Sequence, residues 1–495
     1  MKRRGFSPTT RTYGTMLGGY ARIQDWEKFP SQLENVCSLY DQLKRHHDSV
    51  KKRMGLHSTE LSNIPYTSLI RIFGKAQQFQ RMYDVFNSLP SEGPLAPDLH
   101  TFTALLEAIS NRKLSALPPS FLGSEEEGEP APHTFNELKS KNASDARLIW
   151  RQLLRASTKP PGFDIDSHVI RAILKILAWG RPSDQTFAFE IVHDYLGLSR
   201  PAQQAIPAKV DLHPLTLEAL LHACNNASRY SFTLHYAQQV IDSDSSEGKG
   251  FERLGLRRIL TTRHMDLVLE AHAALAALGA SGESEQALET LLWMLRMQAT
   301  APAPGKQGGI GPQIRPAAST YDLVLLTCWR SVDWKSACRT FELMTGYEAD
   351  QFCGEMQSTP IQMQRSAGRA LVPSTGFMSS LFRTASRTHQ AKHMQQALNI
   401  FEHYGWNAFF QRPSPAQIVA TATSRKQEKD WIFYTFKLVE ALADTLPALL
   451  KLPDFDKPTK DRWEALYNRA MDKATSPRLA VNKAQSGGAR SSGAP

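Results

Sequence analysis

No C-x-x-C pair occurs in this 495-residue chain, and its five cysteines (Cys37, Cys224, Cys328, Cys338, Cys353) lie far apart. An odd and scattered set excludes a secreted disulfide framework and a zinc ribbon, and points to core thiols in a reducing compartment. Long apolar runs are lacking as well. The most apolar stretch, WIFYTFKLVEALADTLPALLKL (431–452), is broken by Lys437, Glu440 and Asp444, spaced as the polar side of an amphipathic helix, so no membrane span is expected. No secretory signal peptide is expected from the N-terminal residues given. No alternating, β-rich stretch competes with helical periodicity.

Catalytic signatures are missing too. GKQGGIG (305–311) has neither a preceding strand nor the Gly-Lys-Ser/Thr ending of a phosphate loop. Glu125, Glu126 and Glu127 are adjacent, so they cannot share a helix face as a carboxylate pair. His46, His47 and Asp48 fall in the charged run KRHHDSVKKR, which reads as a solvated helix face rather than a metal site. No Ser/His/Asp set, zinc-deaminase motif or nuclease acidic cluster follows. The expectation is a protein that is not an enzyme, with no cofactor, no metal and no small-molecule substrate.

What is present is a repeated helical pattern. With 41% apolar and 21% charged residues the chain can bury a large core. Its 58 Lys+Arg against 48 Asp+Glu leave a formal charge of +10, suited to a polyanionic partner or an anionic membrane surface. The clearest module is IPYTSLIRIFGKAQQFQRMYDVFNSLPSEGPLAPD, where Tyr66, Leu69, Ile70 and Phe73 form one helical stripe and Met82, Val85, Phe86 and Leu89 the next. First helices repeat this spacing at Tyr13, Met16, Leu17, Tyr20; at Phe102, Leu105, Leu106, Ile109; at Met265, Val268, Leu269, His272; and at Tyr321, Val324, Leu325, Cys328. Second helices carry it at Ala146–Leu153, Ala188–Tyr195, Trp334–Phe341 and Met394–Phe401.

A two-helix unit cannot bury both faces alone, so it stacks on neighbours. The fold class expected is all-α: a right-handed superhelical solenoid of antiparallel helix pairs, with seven or eight hairpins up to Gly405. The boundaries read as repeats over 1–122, an acidic flexible insertion over 123–142, further repeats over 143–412, a helical cap over 413–473 and a disordered basic tail over 474–495. Further loop insertions are expected near 197–212, 243–250, 300–316 and 346–372.

At three junctions a Pro stands five residues before the first-helix aromatic: Pro8 to Tyr13, Pro97 to Phe102 and Pro316 to Tyr321. The preceding segments KRRGFSP, SEGPLAP and GGIGPQIRP, followed by Thr-Tyr or Thr-Phe, resemble the junctions of pentatricopeptide repeats, with the Pro stopping one module and the Thr beginning the next helix. The match is good over 1–22, 62–109 and 310–345, partial over 143–196, 262–298 and 374–405, and weak over 213–242. On this resemblance MKRRGFSPTT looks like the end of one repeat, which implies a precursor extending upstream with an Arg-rich presequence.

The resemblance implies single-stranded mitochondrial RNA as partner, a place in the mitochondrial matrix, and a role in transcript stability, processing or translation. The residue after the first-helix aromatic and the last residue of the same repeat would flank one base. That assigns Thr67 with Asp98, a combination the family associates with guanine. It also assigns Thr103, Asp266 (with Ala317) and Asp322 (with Ser374). Residues two before each aromatic (Arg11, Ile64, His100, Ser319) would sandwich bases, and Arg11 and His100 could touch phosphate. The aromatics themselves read as core. The rival reading is a protein–protein scaffold, such as a mitochondrial ribosome-associated subunit or an assembly factor. Charge along the first-helix surface separates the two.

Overall fold

The structure, a computed structural model, describes residues 7–55, 58–113, 132–160, 162–245, 259–300, 314–354, 359–363, 370–411, 422–453 and 455–474. The chain divides into two compact units, Met1–Ile259 and Leu260–Pro495. The first holds α1 (Thr10–Tyr20), α2 (Pro30–Met54), α3 (Ile64–Lys75), α4 (Phe79–Asn87), α5 (Leu99–Ser110), α6 (Pro132–Ser157), α7 (Ser167–Leu177), α8 (Pro182–Leu196), α9 (Pro214–Asn226) and α10 (Tyr230–Ser245). The second holds α11 (Thr262–Ala277), α12 (Glu283–Thr300), α13 (Ala318–Ser331), α14 (Trp334–Thr345), α15 (Thr375–Arg387), α16 (Ala391–Tyr404), the single turn α17 (Trp406–Phe410), α18 (Ala422–Leu450) and α19 (Lys457–Ala474). Among the described residues no helix is long and apolar enough to cross a membrane.

The helices pair as hairpins and the pairs stack, as the periodicity requires. In the first unit the first helices form a row, α1 on α3, α3 on α5, α5 on α7 and α7 on α9, each also packed on its own second helix. In the second unit α11, α13, α15 and α18 make the equivalent row. The apolar stripes supply the reason. Tyr66, Leu69, Ile70 and Phe73 are at most 6% exposed, and Phe102, Leu105, Leu106, Ile109, Tyr321, Val324, Leu325 and Cys328 are all buried. Each such aliphatic or aromatic side chain contributes about 1.5–3 kcal/mol when taken from water. Met16 departs from its stripe and stands 45% exposed.

The turn within four of the hairpins repeats in backbone terms that composition conceals. Gln77, Ser228, Val332 and His389 all have φ between 55° and 58°, one at each of four hairpin turns. The amide of the residue that follows then reaches back to a carbonyl five residues earlier: Gln78 to Phe73 (2.9 Å), Arg229 to Cys224 (2.9 Å) and Asp333 to Cys328 (3.0 Å). This left-handed helix stop commonly takes Gly. Here ordinary side chains occupy it, and Val332 is β-branched.

Four expectations are corrected. The Thr before each first-helix aromatic does not begin its helix. The cap is the residue directly after the Pro (Thr9, Asp98, Ala317), and Thr101 and Thr320 lie fully buried one turn in. The acidic insertion is shorter than 123–142, because α6 starts at Pro132 and its Leu138 and Asn142 are buried. Residues 114–131 lie outside the described residues. The 346–372 segment is not merely a loop: Ala349–Phe352 forms a 3-10 turn, Phe352 is fully buried, and Gln396 and Asn399 of α16 donate to the carbonyls of Ala349 (2.7 Å) and Phe352 (2.9 Å). His47 is not solvated. It follows Leu43 and precedes Val50 on the buried stripe of α2, with Nε2 3.1 Å from the Thr10 hydroxyl and Nδ1 3.0 Å from Tyr66 Oη. Burial, then the neighbouring His46 and Lys51, push its pKa down to about 4. The 474–495 tail, apart from Ala474 at the end of α19, lies outside the described residues.

Candidate nucleic-acid interface

Four adjacent pairs of first helices, α3–α5, α7–α9, α11–α13 and α13–α15, are laced together near their N-terminal ends, and several of the sequence-predicted base-reading residues are part of the lacing. Asp98 caps α5: its Oδ1 accepts from the Thr101 amide (2.9 Å) and from the Thr101 hydroxyl (2.7 Å). The Thr101 hydroxyl lies 2.8 Å from that of Thr67 on α3. Thr67 and Asp98 are therefore brought together, through Thr101 and not through a base. Thr67 is 7% exposed.

The second unit repeats the device with carboxylates. Thr320 of α13 donates to Asp266 of α11 (2.8 Å), and Ser374, the cap of α15, donates to Asp322 of α13 (3.0 Å). Burial raises both acids, Asp322 to about 6, while the hydroxyl donors pull the other way. In the first unit Thr216 of α9 bonds Ser167 of α7 through its hydroxyl (2.7 Å) and the Ser167 carbonyl (2.9 Å). The pairing of Asp322 with Ser374 is thus met in space, while Asp266 meets Thr320 in place of Ala317. Thr103 donates back to Leu99 of its own helix (2.8 Å). Residues two before the aromatic fare differently: Arg11, Ile64, His100 and Ser319 are all exposed.

The far ends of the same rows carry a second device. Lys75 at the end of α3 donates to the Ala21 carbonyl at the end of α1 (2.7 Å). Arg330 of α13 reaches the Ala273 carbonyl of α11 (2.5 Å), and Arg387 of α15 the Trp329 carbonyl of α13 (3.2 Å). Each cation lies on a carbonyl of the last turns of a helix, where the helix dipole favours positive charge, and Lys75 and Arg387 satisfy carbonyls left open at the helix end.

Between these two ends of the first unit lies a group that sequence reasoning missed. Arg71 of α3 and Lys175 of α7 are exposed, and Arg171 is half-buried. None of the three has a hydrogen-bond or ion-pair partner among the described residues. They share one surface, since the charges of Arg171, Glu107 and Glu218 all act on Lys175, and those of Arg71 and Glu107 on Lys75. Burial and the neighbouring guanidinium lower both amines. The signal was available as the positions five and nine after the first-helix aromatic, which a helical projection puts on the side away from the core. Arg71 and Lys75 occupy them on α3, and Lys175 stands five after Ile170, which takes the place of the aromatic on α7. Chemically the surface can hold phosphate oxygens, with Glu107 and Glu218 limiting its net charge.

Stacked helical hairpins with a partly cationic first-helix surface define a helical-repeat protein. No protein-family model and no curated protein sequence matches the chain. Among solved structures it is similar to the pentatricopeptide repeat protein PPR10 in complex with an 18-nt psaJ RNA element, at 14% identity over 95% of this chain, with a TM-score of 0.29. It is also similar to PPR10 from maize, at 12% identity over 96% of this chain and 70% of that chain, with a TM-score of 0.22. The chain spans 60% of the length of the RNA-bound protein.

Proposed function

We propose that this chain is an RNA-binding helical-repeat protein that acts without catalysis on single-stranded mitochondrial RNA, in transcript stability, processing or translation. The observation that carries the reading is the set of cations Arg71, Arg171 and Lys175, without a partner among the described residues and aligned on the first-helix row of the first unit. The +10 formal charge supports it. The mitochondrial assignment rests on the resemblance of the Pro8, Pro97 and Pro316 junctions to organellar repeat proteins.

The test is fluorescence anisotropy of the purified chain with a single-stranded 20-nucleotide RNA across a salt series. Neutralising three or four phosphates on a single strand gives a log–log slope of about −2 to −3. Charge-reversal of Arg71, Arg171 and Lys175 together should abolish most of that slope. Absence of binding by the intact chain at low salt would refute the proposal. A protein-binding scaffold is the second reading, favoured by the engagement of Thr67, Asp98, Asp266 and Asp322 with other first helices. Import and protease protection of a tagged chain would test the mitochondrial assignment.

A further inference from the structure

Trp179 stands one residue beyond the C-cap of α7, and its amide donates to Ile176 (3.2 Å), so the chain continues the helical turn to this point. Arg171, Lys175 and Trp179 are thus spaced four apart along one side of α7. The indole is 48% exposed, whereas most large apolar side chains of the first helices are buried. The Lys139 ammonium of α6 sits over its ring, 3.8 Å from the centroid, and also over Phe135 at 4.2 Å. A cation on a ring face draws on the π-electrons of the indole, and the exposed remainder of the ring is flat and apolar.

We infer that Trp179 is a stacking platform for one unpaired nucleobase of an RNA strand whose phosphates lie on Lys175 and Arg171. The inference rests on the RNA reading above and specifies where and how the strand is held. Three features fit that ligand. A single strand offers an apolar face and a phosphate anion in each nucleotide, which is the alternation of Trp179 with Lys175 and Arg171. The Lys175 amine is lowered by burial and by Arg171, so an anion placed there relieves a repulsion already present. The base-edge readers assigned from sequence are committed to Thr101, Thr320 and Ser374. Stacking on an indole needs no base edge, so the binding it provides is tolerant of sequence.

The test compares a fluorescein-labelled 20-nucleotide oligouridylate with an abasic ribose-phosphate oligomer of the same length, on the intact chain. Trp179→Ala should weaken oligouridylate binding about tenfold and leave the abasic oligomer unchanged, because only the base is lost. Trp179→Phe should recover most of the loss. Lys175→Gln should weaken both oligomers alike and lower the salt slope by about 0.7. Photocrosslinking of a 5-iodouridine oligomer to the wild-type chain should give an adduct on the peptide that carries Trp179, a readout independent of how any variant folds. If wild type binds but Trp179→Ala binds oligouridylate equally well, or loses both oligomers equally, or the adduct maps elsewhere, the stacking site is wrong while the RNA reading stands. If wild type binds neither oligomer, both fall.

Discussion

Gly74 on α3 offers a sensitive test of how closely the first helices approach. A Cβ placed there would fall inside the methyl of Ala108 on α5, with the Ala108 Cα at 3.4 Å and Met82 Sδ at 3.7 Å. Gly74 has no need of glycine's backbone freedom, since it lies in regular helix. Two effects then oppose each other in Gly74→Ala. Helix propensity favours alanine by about 1 kcal/mol, whereas overpacking a close-packed contact costs about 1–3 kcal/mol. The neighbour that must yield, the Ala108 methyl, is fixed to the backbone of α5, and the fully buried Met82 leaves it little room beside the contact. The overpacking cost should win, leaving a net destabilisation of up to about 2 kcal/mol. The reciprocal swap, Gly74→Ala with Ala108→Gly, moves the methyl across the interface. Its propensity changes cancel, so it should lie within about 0.5 kcal/mol of wild type, while Ala108→Gly alone loses about 1 kcal/mol. Urea unfolding followed by circular dichroism on the four proteins gives the coupling directly. A Gly74→Ala variant more stable than wild type, or a double variant no better than the sum of the singles, would refute the close approach of α3 and α5.

Other consequences are equally concrete. His47, held neutral with its pKa near 4, binds its proton less readily folded than unfolded, so its contribution is present above pH 6.5 and lost as pH falls toward 4, by about 3 kcal/mol in all. His47→Gln should flatten that part of the stability–pH curve, and an unchanged curve would show that His47 is solvated. Val332, a β-branched residue at φ 57°, should yield about 1 kcal/mol of stability on replacement by Gly, read as a higher melting temperature; a lower one would mean its side chain packs usefully.

Helix identity was legible in the sequence because apolar stripes four residues wide have one dominant period, and the stripes at Tyr66, Phe102 and Tyr321 are the core. The seven or eight hairpins expected before Gly405 follow from the same signal, and eight helix pairs stand there among the described residues. The site was read less well. Thr67 and Asp98 are adjacent in space as repeat logic requires, but Thr101 was assigned only to helix initiation, and nothing local reveals a hydrogen bond across 34 residues. Charge density misled in the same way at His47: KRHHDSVKKR reads as solvated, although every fourth or third position from Val36 to Val50 faces inward. Capping cations such as Lys75 and Arg387 look like ordinary surface charges until the neighbouring helix end is in view.

The pinning of first helices at both ends has a consequence for how such a chain tolerates change. Between α1 and α3 the ties are His47 at one end and Lys75 at the other; between α11 and α13 they are Thr320 and Arg330; between α13 and α15 they are Ser374 and Arg387. Phase from one helix to the next is thereby written into the helices themselves and owes nothing to the length of chain that joins them. A connector can lengthen, shorten or change composition, as between α5 and α7 or between α13 and α15, while the next helix still docks in register. Sequence period and spatial period are uncoupled, so drift in the connectors can erase the repeat from an alignment without disturbing the stack.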